Sequence, residues 1–147
     1  MREIKEVLDR FPIELKDAII EFYDFLREEY IIKRAIKSLP EILKNKFQIS
    51  IEEPLVRKFI KYNGEKEELN IYGKGKKEYE DISIIGEAKA KLSKRDVDRF
   101  IKKINRLESK GIIFGEKLLL LITYSVEPEI EEYAKTKGIE IIWSYML

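Results

Sequence analysis

Glu87 and Lys89 stand two apart in the run Ile85-Gly86-Glu87-Ala88-Lys89-Ala90-Lys91. In a strand that spacing puts both side chains on one face, about 6–7 Å apart along the chain. A carboxylate and an ammonium held side by side can act as a metal ligand and as a partner that orients water or stabilises developing charge. Taken alone, Glu-x-Lys is most often a surface ion pair, so the elements that hold it decide its meaning.

The 147-residue chain contains no Cys and no His. That removes disulfides, thiolate nucleophiles, zinc-thiolate sites and Ser-His-Asp or Cys-His catalysis, and leaves oxygen ligands and Lys as the available chemistry. A net charge of +1 gives no whole-molecule field, so attraction to a polyanion must come from local patches. Hydrophobic residues make up 44% and charged residues 39%, which suits one domain with a core and a densely ionic surface. No apolar run reaches the roughly 20 residues of a membrane span, and charges from Arg2 onward leave no signal-peptide core. The chain reads as cytoplasmic, and its wealth of Lys, Glu and Ile resembles thermophile usage.

The elements follow from periodicity. Residues 2–10 carry Ile4, Val7 and Leu8 at helical spacing. A second helix repeats Leu15, Ala18, Ile19, Phe22, Phe25 and Leu26, with Pro40 expected to break it or to open a new first turn. From Phe47 the period changes to alternation, and Asn63-Gly64 marks a tight hairpin because both residues of a type I′ turn need positive φ. A return strand at residues 66–73 sets Leu69 and Ile71 against Glu68, Asn70 and Tyr72. A second turn lies within residues 73–80, and a third strand follows at about 81–90. Ser93 and Asp96 form a capping-box-like start to a helix with the stripe Val97, Phe100, Ile101, Ile104 and Leu107. Arg95, Arg99, Lys102 and Arg106, flanked by Lys94 and Lys103, fall opposite that stripe; they could contact phosphates, although any helix is polar on that side. The apolar run at 118–124, a short helix after Pro128 and a last strand from Ile139 make a parallel crossover. The expected fold is therefore α/β. A mixed central sheet, an antiparallel three-strand meander plus a parallel strand-helix-strand unit, is flanked by helices. An N-terminal helical region at residues 1–46 precedes a domain at 47–147.

The run Glu68-Leu69-Asn70-Ile71-Tyr72-Gly73, leading through a Lys-rich hairpin to Ile85-Gly86-Glu87-Ala88-Lys89 and then a helix, resembles the PD-(D/E)XK nuclease-like superfamily, in particular archaeal-type members. The resemblance covers residues 47–147. It implies hydrolysis of DNA phosphodiesters with Mg²⁺, Glu87 being the metal-binding acid and Lys89 the catalytic lysine. Asn70 falls where the superfamily usually has Asp, and Glu68 is the substitute acid, so the implied metal ligands are Glu87, Glu68 and Asn70. A turn near residues 77–80 would set Asn70 opposite Glu87 and Glu68 near Lys89, whereas a turn nearer Gly75 would move that register. Asp81, six residues from Glu87 on the same strand, is about 20 Å away and cannot share its metal. The expected nucleic-acid contacts are Lys74, Lys76, Lys77, Lys91 and Lys94, with Tyr62, Tyr72 and Tyr79 able to stack on bases. Two other readings stand beside the nuclease. One is an inactive nuclease-derived domain in nucleic-acid binding or assembly; the other is an oligomerising protein whose N-terminal helices form a homodimer. No membrane partner is expected.

Overall fold

The computed structural model describes residues 2–147. Helix α1 (Arg2–Leu8) leads into α2 (Ile13–Phe47), followed by strands β1 (Ser50–Tyr62), β2 (Glu65–Lys77) and β3 (Glu80–Leu92). Helix α3 (Lys94–Ser109), strand β4 (Lys117–Val126), helix α4 (Pro128–Thr136) and strand β5 (Ile139–Trp143) complete the domain, with a short 3₁₀ turn at Ser144–Met146. The five strands lie in sequence order, antiparallel from β1 to β3 and parallel from β3 to β5. This is the mixed α/β sheet expected from the sequence. Among the described residues no helix is long and apolar enough to cross a membrane.

The sheet is covered on both faces. On one, Ile31, Ala35, Leu39 and Leu43 of α2 pack on Ile71, Ile84, Leu120 and Ile122. On the other, Val97, Phe100, Ile104 and Leu107 of α3, with Ala134 of α4, pack on Ile85, Leu121 and Ile141. Leu120, Leu121 and Ile122 are successive residues facing opposite cores, which is why β4 reads as one unbroken apolar run.

Helix α2 differs from the sequence expectation. Pro40 lies inside it and neither breaks it nor opens a new helix. An internal proline forfeits one ladder bond and crowds the carbonyl four residues back, at about 3 kcal/mol. Here Leu39 and Leu43, both fully buried against the sheet, bracket that turn and offset the loss. Phe47, expected in a strand, is the last residue of α2. Gln48 then takes a left-handed conformation (φ 57°), and its N–H and that of Ile49 both return to the Leu43 carbonyl to end the helix. Because residues 31–43 share a core with the sheet, the helix and the sheet form one packed unit.

The first hairpin turns at Asn63 (φ 48°) and Gly64 (φ 77°), as the Asn-Gly pair requires. The second turns at Glu78 (φ 51°) and Tyr79 (φ 76°), with Lys77 paired to Glu80. Gly73 and Gly75 are strand residues instead, and the paired strand β1 approaches them closely. A Cβ on Gly75 would lie 2.5 Å from the Ser50 carbonyl oxygen, and one on Gly73 would lie 2.5 Å from Leu55 Cδ2. A side-chain methyl can move and a paired backbone oxygen cannot. Gly75→Ala is therefore expected to cost about 1–3 kcal/mol in urea denaturation, and Gly73→Ala less.

A bulge sits at the point that matters for the site. Val56 pairs with Tyr72 but Lys58 pairs with Leu69, so β2 carries one extra residue at Asn70–Ile71. Leu69 consequently faces the α3 core while Ile71 faces the α2 core, although two-residue spacing would put them on one face.

Candidate functional site

Strand β3 ends one residue before α3 begins. Ser93 caps the helix, its hydroxyl accepting from Asp96 N–H at 3.2 Å while its own N–H donates to Asp96 Oδ2 at 3.0 Å. This capping box turns the chain back over the sheet, and the stripe from Val97 to Leu107 seats α3 on it. One flank of α3 then overhangs Glu87 and Lys89. The cleft between them, about 320 Å³, is lined by these two residues with Asp96, Arg99, Phe100, Lys102, Lys103 and Arg106. Five cationic side chains face two carboxylates across it, so the local field is positive although the whole chain is nearly neutral. A second hollow along α3, lined by Lys94, Arg95, Asp98, Arg99 and Lys102, shares Arg99 and Lys102 with the first and extends the basic surface.

Glu87 and Lys89 are both half-buried and both point into this cleft. Lys103 Nζ lies 2.6 Å from Glu87 Oε1 and donates to the Glu68 carbonyl at 2.9 Å. Among the described residues Glu87 Oε1 has no aligned hydrogen-bond donor, so the ammonium neutralises it chiefly by charge. On the rim, Arg106 binds the Glu67 carboxylate, which also accepts from the Tyr62 hydroxyl. The Arg106 hydrogen bond holds the Glu67 carboxyl below its usual range, and the Glu67 carboxylate pushes the Tyr62 phenol up.

Of the three side chains implied as magnesium ligands, two meet, Asn70 Nδ2 donating to Glu68 Oε1 at 3.3 Å, while the Glu87 carboxylate pairs with Lys103 instead. The hairpin register, Ile71 opposite Gly86, does bring Asn70 beside Glu87, but Asn70 Oδ1 accepts the Ala88 N–H at 2.9 Å and repairs the ladder at the bulge. Glu68 is held by Arg57 at 2.7 Å, and the same guanidinium grips Glu29 of α2 through two 3.0 Å bonds. Its carboxylate thus serves the α2 side of the sheet while that of Glu87 serves the α3 side. The bulge is the physical reason: unbroken alternation would have put Glu68 on the face of Glu87. Among the described residues no three acidic side chains gather as a metal cage. Magnesium usually takes one or two protein carboxylates and keeps several waters, and of the implied set Glu87 alone lines the cleft.

The lysines expected to contact nucleic acid are scattered. Lys94 joins the α3 surface, its ammonium 5.0 Å above the Tyr133 ring. Lys91 is exposed near the end of β3. Lys74 lines a separate hollow with Tyr72 and Phe114, and Lys76 pairs with Asp81 at 3.4 Å and Glu52 at 3.9 Å. Lys76 and Lys77 stand about 17–20 Å along β2 from Ile71, toward the far end of the hairpin. Tyr72 carries the Lys58 ammonium 4.4 Å over its ring, and Tyr79 is exposed at the hairpin tip.

Two contributors carry an ambiguous signal or none in the sequence. The flank of α3 was visible as Arg95, Arg99, Lys102 and Arg106 at helical spacing, but any amphipathic helix has such a side. Glu28 of α2 had no marker. Burial pushes its carboxyl up, opposed by the nearby Lys89 ammonium and a hydrogen bond from the Ala90 backbone, so α2 also reaches the Lys89 strand.

Fold and site together define the class: a mixed-sheet α/β domain with a cationic cleft built over one Glu-x-Lys strand. The chain belongs to the family described as Domain of unknown function (DUF8196), which matches residues 33–146. The match begins within α2 and takes in all five strands. No curated protein matches the chain. Among solved structures it is similar to EndoMS in its apo form, at 13% identity over 72% of this chain and 44% of that one, with a TM-score of 0.40. The chain thus spans less than half the length of that protein.

Proposed function

We propose that this is a nuclease-like domain that binds DNA along α3. The observation that carries the reading is the cleft in which Lys89, Arg99, Lys102, Lys103 and Arg106 converge over Glu87. Cations gathered on one flank of a helix and the strand beneath it can neutralise backbone phosphates, and counterions are released when they do. Arg99 and Lys102, exposed and common to both hollows, are the central phosphate contacts, and Lys94 and Arg95 extend the track. The order of elements around Gly86-Glu87-Ala88-Lys89 supports a nuclease-like ancestry. The contact between Lys103 and Glu87 favours binding without cleavage.

Fluorescence anisotropy with labelled duplex, branched and single-stranded DNA tests this. Binding should weaken steeply between about 50 and 200 mM salt, and Arg99→Ala and Lys102→Ala should each reduce the slope of log affinity against log salt by about one. Absence of binding at low salt to all three forms would overturn the reading. Magnesium-dependent hydrolysis is the second reading, favoured by Glu87 and Lys89 sharing one cleft. Cleavage of any of these DNAs with Mg²⁺ or Mn²⁺, lost in Glu87→Ala, would establish it.

A further inference from the structure

Two oxygens from two strands converge beside the cleft, Glu87 Oε1 of β3 and the backbone carbonyl of Glu68 in β2. Carboxylate and carbonyl oxygens facing one point are what a hard cation takes as ligands. The cation found there belongs to the chain itself, since Lys103 Nζ is 2.6 Å from one and 2.9 Å from the other. We propose that Lys103 is the resident cation of this site, a tethered ammonium that occupies the place of a divalent ion and makes the natural protein indifferent to such ions.

Three features support this. The Lys103 and Glu87 side chains are only 21% and 14% exposed, so water does little to neutralise the carboxylate. The other side chains that would complete a metal set are committed elsewhere, Glu68 to Arg57 and Asn70 to the Ala88 N–H. Lys103 is also fixed in position, one residue before buried Ile104 on a helix seated by its whole apolar stripe. An ammonium nitrogen and a metal ion cannot both sit within bonding distance of the same two oxygens, because they would repel at contact. Occupation is therefore exclusive. Removing the ammonium while keeping an unbranched apolar stem exposes the Glu87 oxygen and the Glu68 carbonyl, with room for metal-bound waters where Nζ had been.

The test needs no nucleic acid, so it stands or falls separately from DNA binding. Mn²⁺ is titrated calorimetrically into the natural chain, Lys103→Met and Lys103→Met/Glu87→Gln. The expected result is no binding to the natural chain, one-site binding to Lys103→Met at least 10-fold tighter than to either other form, and loss of that site in the double variant. Thermal denaturation guards against a variant that folds poorly: Mn²⁺ should raise the midpoint of Lys103→Met and leave that of the natural chain unmoved. Equal Mn²⁺ affinity in the natural chain and Lys103→Met would overturn the proposal. So would a Lys103→Met chain that neither binds Mn²⁺ nor gains stability from it.

Discussion

Arg99→Glu combined with Lys102→Glu is expected to lower DNA affinity about 100-fold or more at low salt, while leaving the unfolding midpoint almost unchanged. Both residues are exposed on α3, and neither belongs to its buried stripe, so the fold has little stake in them. Each belongs to both hollows, so each reversal removes a cation from the middle of the track and places an anion there. A hydrogen bond to a charged group is worth about 1.5–3 kcal/mol, roughly a tenfold change or more per residue. Reversal adds repulsion of the phosphates to that loss. Anisotropy at several salt concentrations checks it, and raising salt should narrow the gap between natural and variant chains because screening weakens both terms. An unchanged affinity would remove α3 from the interface.

Phe100→Ala is expected to cost about 3–5 kcal/mol and Leu39→Ala about 2–5 kcal/mol in urea denaturation. The two side chains are 2% and 0% exposed and sit in the cores on opposite faces of the sheet. The sheet lies between them and they share no neighbours, so the two losses should add to within about 0.5 kcal/mol. Their sum rivals the roughly 5–15 kcal/mol that holds a whole domain, and the double variant should be largely unfolded at room temperature. Phe100 also lines the cleft, so its truncation should weaken DNA binding where Leu39→Ala does not.

The elements that were legible in the sequence are those whose signal is local. Asn63-Gly64 specifies a turn by its own backbone preferences, and Ser93 with Asp96 caps a helix without help from elsewhere. The alternation through β3 placed Glu87 and Lys89 together, and the structure keeps them together. What escaped depends on partners distant in sequence. Pro40 stays helical because the sheet lies under Leu39 and Leu43. Gly73 and Gly75 looked like turn residues, yet both lie in β2 where the paired strand β1 leaves no room for a Cβ, and the turn falls at Glu78 and Tyr79. The bulge at Asn70 was the costliest to miss. One extra residue reverses the face of everything before it, and no letter in the Leu69-Asn70-Ile71 run announces it. Glu68 therefore leaves the face of the sheet that Glu87 holds.

Helix α2 spans about 52 Å, yet every buried residue it contributes lies at or beyond Ile31. Its first half leaves Ile13, Phe22 and Phe25 at 72%, 62% and 54% exposure. A helical segment with no fully buried side chain is marginal in water, so one continuous element should show two clocks in amide hydrogen exchange. Amides of residues 35–43 should exchange only on global unfolding, and those of residues 16–26 orders of magnitude sooner in dilute solution. If the N-terminal helices pair with a second copy, the fast clock alone should slow as protein concentration rises. A fast clock indifferent to concentration would mean that the apolar stripe stands unpaired, and an absent one that the projecting half is stable by itself.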